Sequence, residues 1–330
     1  MNSTQETLPI PPPPGVIGAI KSGLDTISAH ISVILLPLAL DIFLWLGPRL
    51  SVKNILGDLY LNTLEYYKLN GMSAEAFTSN ETQWNEFLQH LNVLGFLRTF
   101  PVGVSSLMQM RMPTVTPFGA QNVIEVGSWF SLAGWILLLT LLGWTFGAVY
   151  FRSVSRLVSN PLAAPMLGRA ISQSLLYSLG FTMLAFLIGM PIMVILVLLS
   201  LLGPAVMQTG LFMIMLFASW IVVPLFFTPH GIFMRGDNAL QSAWTSLRMS
   251  RFILPSASMF VLALFLAAQG LNILWSVPPD DSWMLLVGIA GHAFVTTALL
   301  AASFIYYRDM NAWLNIVAER MKTSAPRQAL

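Results

Sequence analysis

The stretch SQSLLYSLGFTMLAFLIGMPIMVILVLLSL, residues 172 to 201, decides the fold class of this chain. It contains no Asp, Glu, Lys or Arg. A helix that rises ~1.5 Å per residue needs about 20 apolar residues to cross a hydrocarbon layer ~30 Å thick. The stretch exceeds that minimum, so it predicts a membrane-spanning helix, and GMP at 189–191 predicts a kink within it.

The composition extends this interpretation to the whole chain. Charged residues make up 9% of the sequence, against roughly 25% in soluble domains, and 56% of the residues are hydrophobic. The absence of Cys excludes disulfides, thiolate metal sites and iron–sulfur clusters. The net charge of +2 reflects few charges in total, so we expect the lipid bilayer as a partner, no nucleic acid, and no cofactor or metal.

Further apolar runs predict an all-α, polytopic membrane bundle of about six transmembrane helices, accompanied by interfacial helices. The expected spans are 29–47, 126–150, 172–201, 208–227, 252–276 and 283–307. Around them, residues 1–28 are expected to form a mobile Pro-rich N-terminus and an interfacial helix. The last five spans form a transmembrane region, 126–307, which is followed by a cytoplasmic interfacial tail, 308–330.

The segment 48–125 is too polar to cross a membrane, and we expect it to be an extracytoplasmic helical segment. Its clearest helix is predicted at 81–97, beginning at a capping box of Thr78 and Glu81. One face of that helix is an apolar stripe, which must lie against the membrane surface, the bundle or a partner. The candidate partner-binding stripe comprises Trp84, Phe87, Leu88 and Leu91.

The positions of Arg and Lys predict the orientation of the chain. Loops 151–171 and 228–251 and the tail carry arginines, whereas loops 202–207 and 277–282 carry none. Positive charge is enriched on the cytoplasmic side of short loops. We therefore expect a multi-pass protein of the cell membrane with both termini in the cytoplasm.

Asp41 is the one carboxylate inside the apolar run ILLPLALDIFLWLGPRL, residues 34–50. An ionised carboxylate at that depth is unfavourable by several kcal/mol unless it is paired, hydrated or protonated. Three other polar side chains fall at related depths of the fifth and sixth spans, which predicts an intramembrane polar cluster. Its candidate members are Asp41, Gln269, Asn272 and His292.

Two roles for this cluster remain open. It either holds helices together through interhelical hydrogen bonds or takes part in proton movement, and Pro37 could bend the first span toward it. On the second span, Gly143 and Gly147 form a GxxxG pattern that predicts close helix packing within the chain or between two copies.

Residues 235–309 carry the most characteristic pattern: the surface-helix sequence NALQSAW (238–244), two spans separated by VPPDD, and YYRD (306–309). This block resembles the membrane domain that precedes the catalytic barrel in some bacterial glycerophosphodiester phosphodiesterases, and related stand-alone membrane families. The resemblance implies a stand-alone helical membrane domain of a bacterial envelope. It carries no catalytic residues, because the chain has no room for a hydrolase barrel of about 250 residues.

The functional interpretation rests partly on motifs that are missing. The sequence has no GxSxG, HExxH, P-loop or GxGxxG pattern, so we expect no enzyme, and no catalytic residues are assigned. The leading expectation is a non-enzymatic accessory, scaffold or partner-binding subunit of a bacterial plasma membrane, with a possible protein partner on the extracytoplasmic segment. The alternative is a transporter of a small solute or lipid, in one form proton-coupled through Asp41 and His292.

Overall fold

The computed structural model describes residues 11–69, 71, 73–159 and 165–324. Residues 1–10 of the expected mobile N-terminus and 325–330 of the expected tail lie outside these ranges. Within them the chain is nearly all α-helical. Five of the described helices are long and apolar enough to cross a membrane. A bent pair of shorter helices would make a sixth span if the two helices together count as one. This confirms the helical fold class and a multi-pass architecture.

The bent pair covers the interfacial helix expected before residue 29 and the first span expected at 29–47. It consists of α1 (Val16–Ala29), then a 3₁₀ helix (Ile31–Ile34) that leads into α2 (Leu35–Leu46), and the two arms meet at 96°. The bend lies at His30, whose φ of −135° and ψ of 54° are not helical. Pro37 does not cause it, because Pro37 lies in the first turn of α2, where a missing N–H breaks no helical bond.

The described residues of the segment after α2 form three α-helices, one 3₁₀ helix and two small sheets. Its elements are β1 (Arg49–Ser51), α3 (Lys53–Leu69), α4 (Ala74–His90), a 3₁₀ helix (Val93–Leu97), α5 (Met108–Arg111), β2 (Val115–Thr116), β3 (Gly119–Ala120) and β4 (Val123–Glu125). Strands β1 and β4 pair in parallel, with Leu50 opposite Ile124, and β2 and β3 pair antiparallel. The first pairing brings the two ends of the segment together beside α2.

Two polar contacts secure this junction. Gln121 donates from Nε2 to the carbonyls of Leu44 and Trp45, at 3.1 and 2.6 Å, and so satisfies acceptors at the end of α2. The guanidinium of Arg49 donates to the carbonyl of Gln89. Burial lowers the pKa of Arg49, and the Glu125 carboxylate opposes that shift.

The five long spans follow, with one short helix among them. They are α6 (Trp129–Val158), α7 (Leu167–Ser200), α8 (Pro204–Phe226), the short α9 (Thr228–Arg235), α10 (Ala239–Trp275) and α11 (Leu285–Ser324). The expected surface helix at 238–251 is the first part of α10, capped by Asn238, whose Oδ1 accepts from Gln241 N at 2.8 Å. The expected interfacial tail is likewise continuous with α11 as far as Ser324.

The spans form a ring in which α6, α7, α8, α10 and α11 are successive neighbours and α11 returns to α6. The bent pair packs against α11 and runs antiparallel to it. Trp313 Nε1 donates to Pro11 O at 2.7 Å near one end, and Trp45 Nε1 donates to Asp280 O at 2.7 Å near the other. Both described ends of the chain therefore lie at the same end of the bundle.

Gly23 allows α1 to approach α11 closely. A β-carbon at Gly23 would lie 2.4 Å from the carbonyl oxygen of Ala298 and 2.7 Å from the nitrogen of Ala302, which is too close for any side chain. The helix expected at the membrane surface is thus packed against the last span.

Candidate functional site: a re-entrant segment in the bundle

Residues 97–108, here called the re-entrant segment, do not stay outside the bundle as the sequence predicted for 48–125. The backbone of this segment lies against α6, where a β-carbon at Gly143 would be 2.5 Å from Leu97 O. At Gly147, a β-carbon would be 2.6 Å from Gly103 Cα. Gly143 lies about 21 Å along α6 from Trp129, at ~1.5 Å of rise per residue. Phe100 also packs on Phe181 of α7, with ring centroids 5.2 Å apart. The segment therefore lies among the spans rather than beyond their ends.

The GxxxG pattern of α6 consequently serves a different purpose from the helix packing expected of it. Gly143 and Gly147 receive the non-helical backbone of the re-entrant segment. Irregular backbone at membrane depth is tolerated only where protein covers it or where it lines a water-filled cavity. Here Thr99 Oγ1 donates to Val102 O at 2.8 Å and Trp144 Nε1 donates to Phe100 O at 3.4 Å, so part of the segment's backbone is satisfied by nearby side chains.

Asp41 binds the end of the re-entrant segment, where the chain enters α5. Its Oδ1 accepts hydrogen bonds from Ser106 Oγ at 2.6 Å and Met108 N at 3.1 Å, and its Oδ2 accepts one from Leu107 N at 3.1 Å. The side chain is fully buried. The expected bonds from Asp41 to the polar residues of α10 and α11 do not form, because the carboxylate oxygens are occupied by the re-entrant segment.

The other three members of the expected cluster do meet. Asn272 donates to Gln269 Oε1 at 3.2 Å, and Asn272 Oδ1 lies 2.8 Å from Nδ1 of His292. Since the amide oxygen accepts, Nδ1 of His292 carries the proton and Nε2 is an acceptor in the neutral ring. That Nε2 atom is buried and has no hydrogen-bond partner among the residues that the structure describes. The cluster is therefore a triad on α10 and α11, separate from the bonds of Asp41.

Arg98 is the functional candidate that the sequence analysis missed. Its Nη1 donates to Gln109 Oε1 at 2.8 Å, and its charge interacts electrostatically with both Asp41 and His292. The side chain is thus close enough to influence both the Asp41 anchor and His292 of the triad. A cation in the apolar stretch VLGFLRTFPVGV (93–104) was the available signal, hidden because the surrounding segment is polar.

Of the cavities that border the re-entrant segment, two are lined by both Arg98 and Gln109. A third, apolar cavity of about 660 Å³ is lined by Leu97 and Val104 of the segment and by side chains of α2 and α6. The outer cavity has a volume of about 270 Å³ and lies between the 3₁₀ helix Val93–Leu97 and α5. The inner cavity has a volume of about 400 Å³ and extends along the segment to Tyr150, Phe151 and Leu300. The hydrogen bond between Arg98 and Gln109 is therefore a polar partition shared by two spaces.

Helix α9 closes the other end of the ring. It contacts all five of α6, α7, α8, α10 and α11, and its side chains from Thr228 to Met234 are buried. His230 approaches Ser303 Oγ to 2.8 Å through Nε2, and Phe233 packs on Phe151, which lines the inner cavity. The sequence predicted a cytoplasmic loop, 228–251, for this stretch.

The expected partner-binding stripe is mostly covered within the chain. Helix α4 begins at Ala74, so the predicted start at the Thr78 capping box is wrong, and the helix packs against α3. Trp84 stacks on Tyr60 with ring centroids 4.5 Å apart, and Leu88 is fully buried. Leu91 lines the outer cavity, and Phe87 is 45% exposed.

No protein-family model, no curated protein and no solved structure matches this chain. The function therefore has to follow from the geometry of the re-entrant segment, its two cavities and the polar side chains beside them.

Proposed function

We propose that this chain is a multi-pass transport protein of a bacterial plasma membrane, through which a small solute passes along the re-entrant segment. One observation carries the proposal: the outer and inner cavities share Arg98 and Gln109 as a common wall. A movement of that hydrogen-bonded pair would join two spaces that it now separates. Transporter sites often lie where helices or loops are interrupted at membrane depth, and the re-entrant segment is such an interruption.

The proposal includes an orientation of the chain in the membrane. Arg308 donates to Val158 O at 3.0 Å, and Arg152 donates to Pro165 O at 2.9 Å, at the end of the bundle that α9 closes. The enrichment of arginine there supports a cytoplasmic position for this end and for both termini. The outer cavity then faces the extracytoplasmic side, and α9 is the barrier that must open toward the cytoplasm.

Passage can be tested with the purified chain in sealed phosphatidylcholine vesicles. Uptake of labelled mannitol, succinate and inorganic phosphate is measured against empty vesicles. We expect protein-dependent uptake of at least one solute, and we expect Leu300→Trp, which fills the inner cavity, to abolish it. Leu187→Trp is the matched control, since Leu187 is 73% exposed on α7 and lines neither cavity. Equal uptake by both variants, or none by the parent chain, would contradict the proposal.

A second candidate, an accessory subunit of a membrane complex, is supported by the far halves of α7 and α8. These halves are exposed around most of their circumference, although they belong to the same ring. Prominent exposed side chains are Met183, Phe186, Met190, Met193, Phe212, Met215 and Phe217. Extraction in mild detergent followed by quantitative mass spectrometry tests it: a stoichiometric membrane partner would support a subunit, and a lone chain would count against it.

A further inference from the structure

Two arginines of the segment between α2 and α6 differ in how their charge is balanced. Arg111 forms an ion pair with Asp280 at 2.6 Å and donates to Ser276 O at 2.7 Å. Arg98 forms no ion pair with any carboxylate in the ranges that the structure describes, and the one hydrogen bond of its guanidinium goes to the neutral amide of Gln109. A guanidinium has five N–H donors, so most of those of Arg98 are available.

The nearest source of negative charge does not satisfy Arg98. Both oxygens of Asp41 accept bonds from Ser106 and from the backbone of the re-entrant segment, and the interaction between Asp41 and Arg98 is through space. Arg98 is exposed in the structure although its neighbour Leu97 contacts the middle of α6. An arginine at membrane depth is unfavourable unless it is paired or hydrated, and such residues mark pathways for ions or substrates. Arg98 lines both cavities, so each cavity offers space for a ligand beside the guanidinium.

The walls of the inner cavity indicate what else the ligand contains. Thr99, whose hydroxyl donates to Val102 O, and Ser105 contribute hydroxyl groups to this wall, whereas Phe100, Phe151 and Leu300 contribute apolar surface. A group that is charged at one end and apolar at the other would match this distribution. A planar guanidinium fits carboxylate and phosphate oxygens with two parallel hydrogen bonds.

We propose that Arg98 is the binding residue for an oxyanion, a carboxylate or a phosphate, on a small ligand whose apolar part occupies the inner cavity. This inference rests on the proposed transport function for its biological meaning, but not for its test. The oxyanion can belong to a soluble organic anion or to the headgroup of an anionic lipid, since both present the same oxygens to the same fork.

Binding is measured as the change in the thermal unfolding midpoint of the full chain in phosphatidylcholine nanodiscs. Sodium butyrate, sodium succinate and sodium phosphate are titrated against sodium chloride at equal ionic strength. We expect a saturable rise in the midpoint with at least one of these anions. Arg98→Gln should weaken the apparent affinity about tenfold or more, because it removes charge-assisted hydrogen bonds, and Arg98→Lys should weaken it less.

Arg248→Gln is the matched control, because Arg248 is an exposed arginine of α10 that lines neither cavity. A second arm replaces phosphatidylcholine with phosphatidylglycerol. A midpoint raised by phosphatidylglycerol in the parent chain, but not in Arg98→Gln, would identify a lipid as the source of the oxyanion. A rise with soluble anions alone would identify a soluble ligand, and either result supports the site.

The proposal is overturned if no anion and no anionic lipid raises the midpoint, or if Arg98→Gln responds as the parent chain does. The vesicle assay separates this failure from that of transport. Uptake of mannitol without Arg98-dependent anion binding would leave transport standing and overturn the oxyanion site. Arg98-dependent binding without uptake of any solute would support the oxyanion site and contradict transport.

Discussion

The hydroxyl of Ser106 donates a 2.6 Å hydrogen bond to Oδ1 of Asp41, and this buried bond joins α2 to the re-entrant segment. Two backbone N–H groups, of Leu107 and Met108, complete the set of donors. A buried carboxylate with three such donors orders the turn that leads into α5. Arg98 lies near the other end of the same segment, and its partner Gln109 donates from its backbone N to the Ser106 hydroxyl at 3.0 Å.

Replacement of Asp41 by Asn should destabilise the protein, although the two side chains have the same shape. An amide has one acceptor oxygen, so its NH₂ group would meet at least one of the three donors that the carboxylate now accepts. We expect a loss of about 1–3 kcal/mol, seen as a lower thermal unfolding midpoint. Ser106→Ala, which removes only one donor, should lower it less; an unchanged midpoint in Asp41→Asn would show that the anchor does not form.

Gly147→Ala should displace the re-entrant segment. The added methyl group would lie 2.6 Å from Gly103 Cα and 2.8 Å from Gly103 N, and overpacking of this kind costs about 1–3 kcal/mol. Gly134→Ala on the same helix is the matched control, because a β-carbon there meets nothing within 4 Å. The control should be neutral or more stable, since Ala is the better helix former. Equal thermal unfolding midpoints for the two variants would show that the re-entrant segment does not contact α6 at Gly147.

A double-mutant cycle should separate the triad from Asp41. Asn272→Ala and His292→Ala remove the two ends of one 2.8 Å hydrogen bond, so their effects on unfolding free energy should be non-additive by about 0.5–3 kcal/mol. The pair Asp41→Asn and His292→Ala shares no hydrogen bond and should be closer to additive. Stronger coupling of His292 with Asp41 than with Asn272 would restore the four-residue cluster that the sequence predicted.

Trp84→Asp should unfold the hairpin of α3 and α4, because Trp84 stacks on Tyr60. Hydrogen exchange of both helices should accelerate, and the five-helix ring should be unaffected. Phe87→Asp is the control, since Phe87 is 45% exposed and lies one turn further along the same helix. Normal exchange in Trp84→Asp, together with loss of a bound protein, would instead support the partner-binding role first expected of the stripe.

Much of this architecture could be predicted from the sequence because the governing interactions are local. Each of the last five spans is a continuous apolar run, and a helix is the structure that satisfies every backbone group of such a run without outside partners. The predicted ends were less accurate where an amphipathic stretch adjoined a span. The periodicity of residues 239–251 is the same whether that helix lies on the surface or continues into α10.

The partners of the polar residues could be predicted only in part from the sequence. Gln269 and Asn272 are one turn apart, and His292 lies on the next span. Because the three residues were expected at similar depths in the membrane, their contact could be predicted. The partners predicted for Asp41 were wrong. Its actual donors are two backbone N–H groups and a serine hydroxyl, 65 to 67 residues away. They lie in a segment whose polar composition predicted a position outside the membrane.

By itself, the sequence determined that this chain is a helical membrane protein, because the length and apolarity of each span are local properties that the bilayer selects. Only the tertiary structure decided that residues 97–108 lie among the spans. The glycines of α6 permit that approach, Asp41 satisfies the returning backbone, and Arg98 is thereby placed between two cavities. None of these three contacts is local, and each depends on which backbone comes within a few ångströms of which side chain.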